Sequence, residues 1–323
     1  MKMRKLWAVV LCVVMVLATF AACTSEKKSD DGGSSDSDSK SDGGGKYALI
    51  MSHMTNAFVT TVADAAKAEA EKEGVELNVF DGKQDAATQI SQIESCIAQG
   101  YAGIVVEPVS VDGIIPAIKE ANEAKIPVIT VVQQISDQSL VAAYVGGDEI
   151  KAGELEMKEA LATIGGKGNI AILYGPMGSD AQLIRKEGYD NILKENPDVK
   201  VVFEQTANWT SDEALKVVEN WLQTGTEINA IVSQNDGMAV GAMKAVEDAK
   251  KKGEIGIFGI DATPDGVSAI KDGRMDGTVS QGAANMGTIG IETIIKVAKG
   301  EKVDPLIYTE AEWVNSENIA DYE

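Results

Sequence analysis

The chain has 323 residues, a length that fits two domains of about 150 residues each. It carries 29 Lys and Arg against 50 Asp and Glu, a formal net charge of −21, so phosphate-rich partners such as nucleic acids and anionic membrane surfaces would repel it. His53 is the only histidine and the cysteines are Cys12, Cys23 and Cys96, which excludes a multi-histidine metal site and a disulfide framework.

The first 22 residues have the pattern of an export signal. Three basic residues within the first five positions precede an uncharged apolar run over 6–22. The sequence Phe20-Ala21-Ala22-Cys23 resembles a bacterial lipobox, which implies that a diacylglycerol is attached to Cys23 and that residues 1–22 are removed. An uncleaved anchor is the alternative, and both place the rest of the chain outside the cytoplasm.

Residues 24–45 form a second segment of unusual composition. Of these 22 residues, 17 are Ser, Gly or Asp, so the segment has almost no apolar surface to bury. We expect a disordered tether beginning at the lipidated Cys23, with a root-mean-square reach of roughly 25 Å. The lone thiol of Cys96 lies in a helix-like stretch and is expected in the core.

From residue 46 onward, short apolar runs alternate with helical patterns. Strands are predicted at 47–51, 75–80, 103–106, 126–131, 142–146, 169–174, 199–205, 230–233, 255–260 and 278–280. Helices are predicted over 59–70, 90–97, 111–121, 150–164, 180–195, 211–223 and 238–250, with a helix start at Thr263-Pro264 and a capping box at Thr210–Glu213. The alternation predicts an α/β fold of two doubly wound lobes, each a parallel sheet covered on both faces.

Parallel sheets of this kind bind ligands beyond the carboxyl ends of their strands. The residues to consider are therefore the polar ones that directly follow strands. They are Ser52, Asn56, Gln133, Asn208, Asn235, Asp236, Asp261 and Gln281, together with their neighbours Val132 and Trp209.

Four motifs in order resemble the ribose-binding-protein type of periplasmic sugar receptor. They lie at 48–58, 127–130, 234–242 and 259–266, and the resemblance covers about residues 46–308. It implies two lobes, 46–146 with 282–308 and 147–281 with 309–323, joined by three hinge crossovers near 146–147, 281–282 and 309–310. It also implies that the ligand binds between the lobes and is delivered to the permease of an ABC importer.

The resemblance assigns ligand contacts residue by residue. Asn56 and Asn235 match amides for sugar hydroxyls, Asp261 matches a carboxylate that accepts two hydroxyl hydrogens, and Gln281 matches a hinge amide. Phe58 and Trp209 match aromatic residues that cover the two faces of the sugar ring.

The sequence also departs from the ribose receptors. Val132 and Gln133 occupy the positions of an Asp-Arg pair, and Leu183 aligns with a further arginine. We therefore expect a less charged cleft, a neutral monosaccharide, polyol or sugar-like ligand, and weak binding of ribose. The predicted ligand-binding residues are Ser52, Asn56, Phe58, Val132, Gln133, Leu183, Trp209, Asn235, Asp261 and Gln281.

Several alternatives stay open at this point. Asn235 and Asp261 can also be explained as helix caps, Trp209 as a core residue, and His53 and Asp148 as cleft residues. A sensor subunit that docks on a membrane kinase or chemoreceptor would bind the same ligand as an importer subunit. No nucleophile–base pair, metal cluster or nucleotide loop indicates an enzyme, no cofactor is expected, and the protein is expected to be a monomer.

Overall fold

A computed structural model describes residues 45–322, and the predicted signal, Cys23 and nearly all of the predicted tether lie outside these residues. The strands are β1 (Lys46–Met51), β2 (Glu76–Asp81), β3 (Gly103–Val106), β4 (Val128–Val131), β5 (Tyr144–Gly147), β6 (Gly168–Tyr174), β7 (Val199–Thr206), β8 (Ala230–Ser233), β9 (Gly256–Ile260), β10 (Gly277–Ser280), β11 (Leu306–Thr309) and β12 (Glu312–Val314). The helices are α1 (Ala57–Glu73), α2 (Ala86–Ala98), α3 (Ile115–Glu123), α4 (Glu149–Thr163), α5 (Asp180–Glu195), α6 (Ser211–Gln223), α7 (Asp236–Asp248), α8 (Pro264–Lys271) and α9 (Ala283–Ala298). Within residues 45–322, no helix is long and apolar enough to cross a bilayer.

The strands form two sheets, and each sheet with its helices makes one lobe. The first lobe has the strand order β2-β1-β3-β4-β5-β11, all parallel. The second has the order β7-β6-β8-β9-β10-β12, in which β12 runs antiparallel to β10. The predicted doubly wound α/β fold is confirmed, but the sequence analysis predicted neither the edge strands β11 and β12 nor the helix α9.

Both faces of the first sheet are buried, which explains why its central strands are apolar without interruption. Ala48 and Ile50 point to one face and pack with α2 and α3, whereas Leu49 and Met51 point to the other and pack with α1 and α9. Cys96 lies in the α2–α3 layer, fully buried, and burial raises the pKa of its thiol to about 11. It is therefore a core residue, as predicted.

Local signals place most helix starts correctly. Thr210 caps α6 and accepts from the Glu213 backbone N–H, and Thr263 caps α8 ahead of Pro264. The third helix is an exception. It begins at Ile115 rather than at the predicted Val111, because a turn occupies 111–114 and Pro116 lies in the first helical turn.

The chain passes between the lobes three times, and the three passages are hydrogen-bonded together. The Thr309 hydroxyl lies 3.3 Å from the Gly146 carbonyl oxygen, where β5 leads into the second lobe. The Thr309 hydroxyl, at the end of β11, donates to the Gln281 carbonyl oxygen at 2.6 Å. A Cβ on Gly147 would lie 2.3 Å from the Gln281 side-chain nitrogen, so a larger residue there would displace a side chain that is hydrogen-bonded to Glu149 and Arg185.

The core of the second lobe contains a buried carboxyl group. Glu156 of α4 is fully buried beside Met157, and it accepts a hydrogen bond from the Tyr189 hydroxyl of α5. Burial raises the pKa of Glu156 from 4.5 to about 8, with the Tyr189 hydrogen bond opposing the shift.

The raised pKa of Glu156 predicts a pH dependence of stability. The stabilisation from its protonated form is fully present below the unfolded-state pKa and is lost as pH rises through about 8, so the free energy of unfolding should increase between pH 8.5 and 6.5. One group contributes at most about 1.4 kcal/mol per pH unit. The range stops at pH 6.5 because burial lowers the pKa of His53 from 6.5 to about 4. Below pH 6.5, protonation of His53 in the unfolded state lowers the free energy of unfolding as the pH falls, which is the opposite effect.

Denaturant unfolding at a series of pH values measures this slope. Glu156→Gln should make it less steep, with a remaining slope from Glu107 and Asp261, whose pKa burial also raises. The exposed Glu187→Gln on α5 is the matched control that should leave the slope unchanged. Equal slopes in the wild type and in Glu156→Gln would contradict the prediction.

Candidate functional site

A small cavity of about 30 Å³ lies between the lobes, at the carboxyl ends of both sheets. Its position matches the switch points beside β1 and β6, where the strand order reverses and where ligands of such sheets bind. The first lobe contributes His53, Asn56, Phe58, Val59, Glu107, Val132 and Gln133, and the second contributes Ala181, Arg185, Trp209, Asn235 and Asp261.

The loop after β1 supplies a histidine and an asparagine whose side chains are hydrogen-bonded to each other. Asn56 caps α1, with its Oδ1 accepting from the Val59 backbone N–H at 3.0 Å. Its Nδ2 lies 3.0 Å from His53 Nε2, and His53 Nδ1 lies 2.9 Å from the Ser52 hydroxyl oxygen. Burial lowers the pKa of His53 to about 4, so the imidazole is neutral at pH 7.

Glu107, directly after β3, adds a buried carboxyl group to the same wall. Its Oε2 accepts from the Ser52 backbone N–H at 2.9 Å, and its Oε1 lies 3.5 Å from the Gln133 side-chain nitrogen. Burial raises the pKa of Glu107 to about 7, and the Ser52 hydrogen bond opposes this shift. Ser52 therefore lies behind the wall and positions both His53 and Glu107.

Val132 has a backbone conformation that is unusual for a β-branched residue. Its φ is +65°, and the Gln133 N–H donates to the Val131 carbonyl oxygen at 2.7 Å, which closes a γ-turn around it. Such strain costs about 1–3 kcal/mol and persists only where the surroundings enforce it. Here the Val132 carbonyl oxygen is held 3.0 Å from the Tyr144 hydroxyl, and the turn directs both Val132 and Gln133 into the cavity.

Asp261 supplies the carboxyl group of the second lobe. It follows β9 with a φ of +130°, and no group within residues 45–322 donates to its side chain. Burial raises its pKa well above the ordinary value, opposed by Arg185. Asp236 fixes the loop, because it accepts from the Thr263 N–H and the Thr278 hydroxyl, each at 2.7 Å.

An amide and an aromatic ring complete the second-lobe wall. Asn235 caps α7 through its Oδ1, which accepts from the Met238 N–H at 2.9 Å, and its Nδ2 lies 3.4 Å from the Trp209 carbonyl oxygen. Trp209 has a φ of +63° and packs against Gly175, where a Cβ would lie 2.1 Å from the ring. Both residues line the cavity, and Asn235 also caps a helix.

A buried arginine connects the second-lobe wall of the cavity to the hinge through hydrogen bonds. Arg185 Nε donates to Glu149 Oε2 at 2.6 Å, Nη1 to the Gln234 carbonyl oxygen, and Nη2 to Gln281 Oε1 at 2.7 Å. The guanidinium carbon lies 5.8 Å from the centre of the Trp209 ring. Burial favours the neutral form of Arg185, but the Glu149 carboxylate raises its pKa above the ordinary value.

The cavity brings together most of the predicted ligand-binding residues, namely Asn56, Phe58, Val132, Gln133, Trp209, Asn235 and Asp261. Ser52 and Gln281 lie one layer behind it, where they position other residues. Asp148, left open above, caps α4 through the Lys151 N–H at 3.1 Å and does not line the cavity.

One of the predicted ligand-binding residues, Leu183, lies outside the cavity. Leu183 is 47% exposed and does not line the cavity, because the residues of α5 that face it are one helical turn apart, at Ala181 and Arg185. The expectation of a less charged cleft than that of the ribose receptors stays a prediction, and the ionisable residues that line the cavity are His53, Arg185, Glu107 and Asp261.

Two of these charged residues were missed by the sequence analysis. Glu107 follows the strand 103–106 directly and satisfies the strand-end criterion used for the other candidates. The sequence around Arg185 carries no comparable signal, because the register of α5 against the cavity depends on tertiary packing. Within residues 45–322, no group of His, Cys, Asp or Glu side chains is arranged to hold a metal ion.

Comparison with known proteins agrees with this geometry. The family model described as "Periplasmic binding protein domain" matches residues 47–302. The chain belongs to this family. Its members are non-enzymatic substrate-binding transport proteins, and the resemblance found in the sequence is confirmed.

Three similar proteins illustrate the relationship. The xylitol-binding protein of Mycolicibacterium smegmatis is 36% identical over 254 residues, which are 78% of this chain and 72% of that protein. The ribose import binding protein of Salmonella typhimurium is 32% identical over 256 residues, covering 79% and 86%. The structure of an ABC transporter solute binding protein from Bacillus halodurans with bound myo-inositol has a TM-score of 0.84 and 34% identity, over 88% of this chain and 99% of that one.

The buried Arg185–Glu149 ion pair predicts a large effect on folding. The two side chains are 4% and 1% exposed, so Arg185→Ala leaves an uncompensated buried carboxylate and should lower the free energy of unfolding by about 3–5 kcal/mol. Arg274→Ala is the matched control. It breaks the surface pair with Glu247, whose side chains are 32% and 27% exposed, and should cost about 1 kcal/mol or less. Equal losses in urea denaturation of the two variants would contradict the prediction.

Proposed function

We propose that the protein captures a sugar or polyol in the cavity between its lobes and delivers it to the permease of an ABC importer. The observation that carries this proposal is the Asp261 carboxylate, which faces the cavity without a donor from residues 45–322. Adjacent hydroxyl groups of a sugar supply the donors that it lacks. Two similar proteins are named for binding xylitol and ribose, and a similar structure contains bound myo-inositol. These relatives support the same class of ligand.

The other cavity residues suit a polyhydroxylated molecule. The Asn56 and Asn235 amide groups offer donors, and the Phe58 and Trp209 rings offer apolar faces for the C–H groups of a ligand. Val132 offers no hydrogen bond at a position where, by resemblance, ribose receptors use an aspartate. Ribose is therefore expected to bind weakly.

The lobes contact each other beside the cavity, which supports a closed, ligand-enclosing state. The Gln134 backbone N–H of the first lobe donates to Asp180 Oδ2 of the second at 2.8 Å. We propose that ligand binding favours this contact and that the permease recognises the closed form. One chain supplies both walls of the cavity, so we propose that it acts as a monomer.

A screen of ligands with one variant tests the proposed function. Xylitol, myo-inositol and a set of monosaccharides that includes ribose are scored by thermal shift, and the tightest binder is measured by calorimetry. A ligand at 100 times its dissociation constant adds about 2.7 kcal/mol of stability. Asp261→Ala should weaken its binding by about 2–4 kcal/mol, because ligand hydroxyls lose a buried charged acceptor.

The stability of Asp261→Ala without ligand is the control. It should equal or exceed that of the wild type, since burial disfavours the charged carboxylate. No binding by any member of the panel, or unchanged affinity in the variant, would overturn the proposal.

We further propose that the protein is a lipoprotein at the outer face of the cytoplasmic membrane. The support is the lipobox-like Phe20–Cys23 after an apolar run, followed by a Ser-, Gly- and Asp-rich segment. A diacylglycerol supplies two acyl chains, which meets the usual requirement for stable anchoring.

Cys23→Ser tests the lipid anchor. In cells, the variant should appear in the medium or as uncleaved precursor, whereas the wild type should fractionate with membranes. Mass spectrometry of the mature wild type should show a diacylglycerol on Cys23. A mature wild-type protein without lipid would contradict this proposal.

A further inference from the structure

One wall of the cavity has an excess of hydrogen-bond acceptors. Glu107 is 2% exposed, and its carboxyl group accepts from the Ser52 N–H at 2.9 Å and also forms a hydrogen bond with the Ser52 side chain. The Gln133 nitrogen lies 3.5 Å from Glu107 Oε1, too far for a strong hydrogen bond. The Gln133 Oε1 atom, also buried, has no partner within residues 45–322. Two neighbouring residues that line the cavity therefore have spare acceptor capacity, because Gln133 Oε1 has no donor among the described residues and the contact between Gln133 and Glu107 Oε1 is long.

Acidic groups outnumber basic groups around the cavity, and burial raises the pKa of both carboxyl groups, so a cation bound beside them would stabilise their charged forms. Glu107 and Asp261 line it, and Arg185 is the cation among the lining residues. Each of the three Arg185 nitrogens already donates to a protein group, and its direct ionic partner is Glu149. His53 adds no charge, because its Nε2 accepts from Asn56 and its Nδ1 donates to Ser52.

An ammonium group matches this wall better than a hydroxyl group does. It carries three donors, no acceptor and a positive charge, whereas a hydroxyl carries one donor and needs a donor in return. Charge-assisted hydrogen bonds to a carboxylate are roughly twice as strong as neutral ones. A buried cation beside Glu107 would also offset the cost of its charge.

We propose that the ligand is an aminated polyol, that is, an amino sugar or aminocyclitol, whose ammonium group binds Glu107 and Gln133 while its hydroxyls bind Asp261. This inference rests on the proposed function, because it assigns the class of ligand for the same cavity. It makes Glu107 the residue that determines the preference for the amine.

Matched pairs of ligands test the inference in calorimetry at pH 7 and 0.15 M salt. The pairs are glucosamine with glucose, galactosamine with galactose, and an inosamine with myo-inositol. In the tightest-binding pair, the amino compound should bind at least about tenfold more tightly, and Glu107→Gln should reduce the ratio to about threefold or less. Affinity for the neutral partner is measured in the same variant, and the ratio within each pair separates the preference for the amine from a general loss of binding at this cavity wall.

Two further variants control the measurement. Glu94→Gln on the exposed face of α2 removes one negative charge from a chain of net charge −21 without touching the cavity, and it should leave the ratio unchanged. Gln133→Met removes the second acceptor while Glu107 stays in place, and it should lower the ratio even if Glu107→Gln fails to fold.

The outcomes separate this inference from the proposed function. If the neutral member of the pair binds as tightly as the amine, or if the amine preference survives both Glu107→Gln and Gln133→Met, the inference is wrong and sugar or polyol binding stands. If neither these six compounds nor the earlier panel bind at all, the proposed function fails and the inference fails with it.

Discussion

The buried guanidinium group of Arg185 is the interaction on which the arrangement of the second lobe and the hinge depends. Its nitrogens join Glu149 at the start of α4, the end of β8 at Gln234, and Gln281 where β10 leaves the lobe. Burying such an ion pair is expensive, and its geometry must be satisfied on every side for the pair to be tolerated. The same buried guanidinium group therefore holds both the hinge and the second-lobe wall of the cavity in place.

Residues at strand ends, in conformations that most side chains avoid, direct the polar groups of the cavity. Val132, Trp209 and Asp261 all have positive φ, and each directly follows or lies close after a strand. The backbone turns sharply at these points, which directs side chains across the carboxyl ends of the sheets instead of along them. Surrounding contacts hold the backbone in these unfavourable conformations. Examples are the Asp236 hydrogen bonds beside Asp261 and the close packing of Gly175 against Trp209.

Those parts of the molecule that depend on local sequence could be predicted, and those that depend on packing register could not. The buried strands read as unbroken apolar runs, and the Thr210 and Thr263 caps follow from side-chain chemistry, so both are visible in the sequence. The choice between Leu183 and Arg185 depends on how α5 rotates against the cavity, and two residues along a helix amount to a rotation of about 200°. Ser52 was placed in the site because it follows a strand, but its hydroxyl is held by His53 and its N–H by Glu107.

The central claim is that Asp261 and its neighbours form the recognition surface for a polyhydroxylated ligand between the lobes. A crystal structure of the complex with the tightest-binding compound measures this most directly. The account predicts electron density for the ligand in the cavity, with hydroxyl oxygens at hydrogen-bond distance from the Asp261 carboxylate and a C–H face against Trp209. Density for the ligand at another surface, or in the cavity without contact to Asp261, would contradict it.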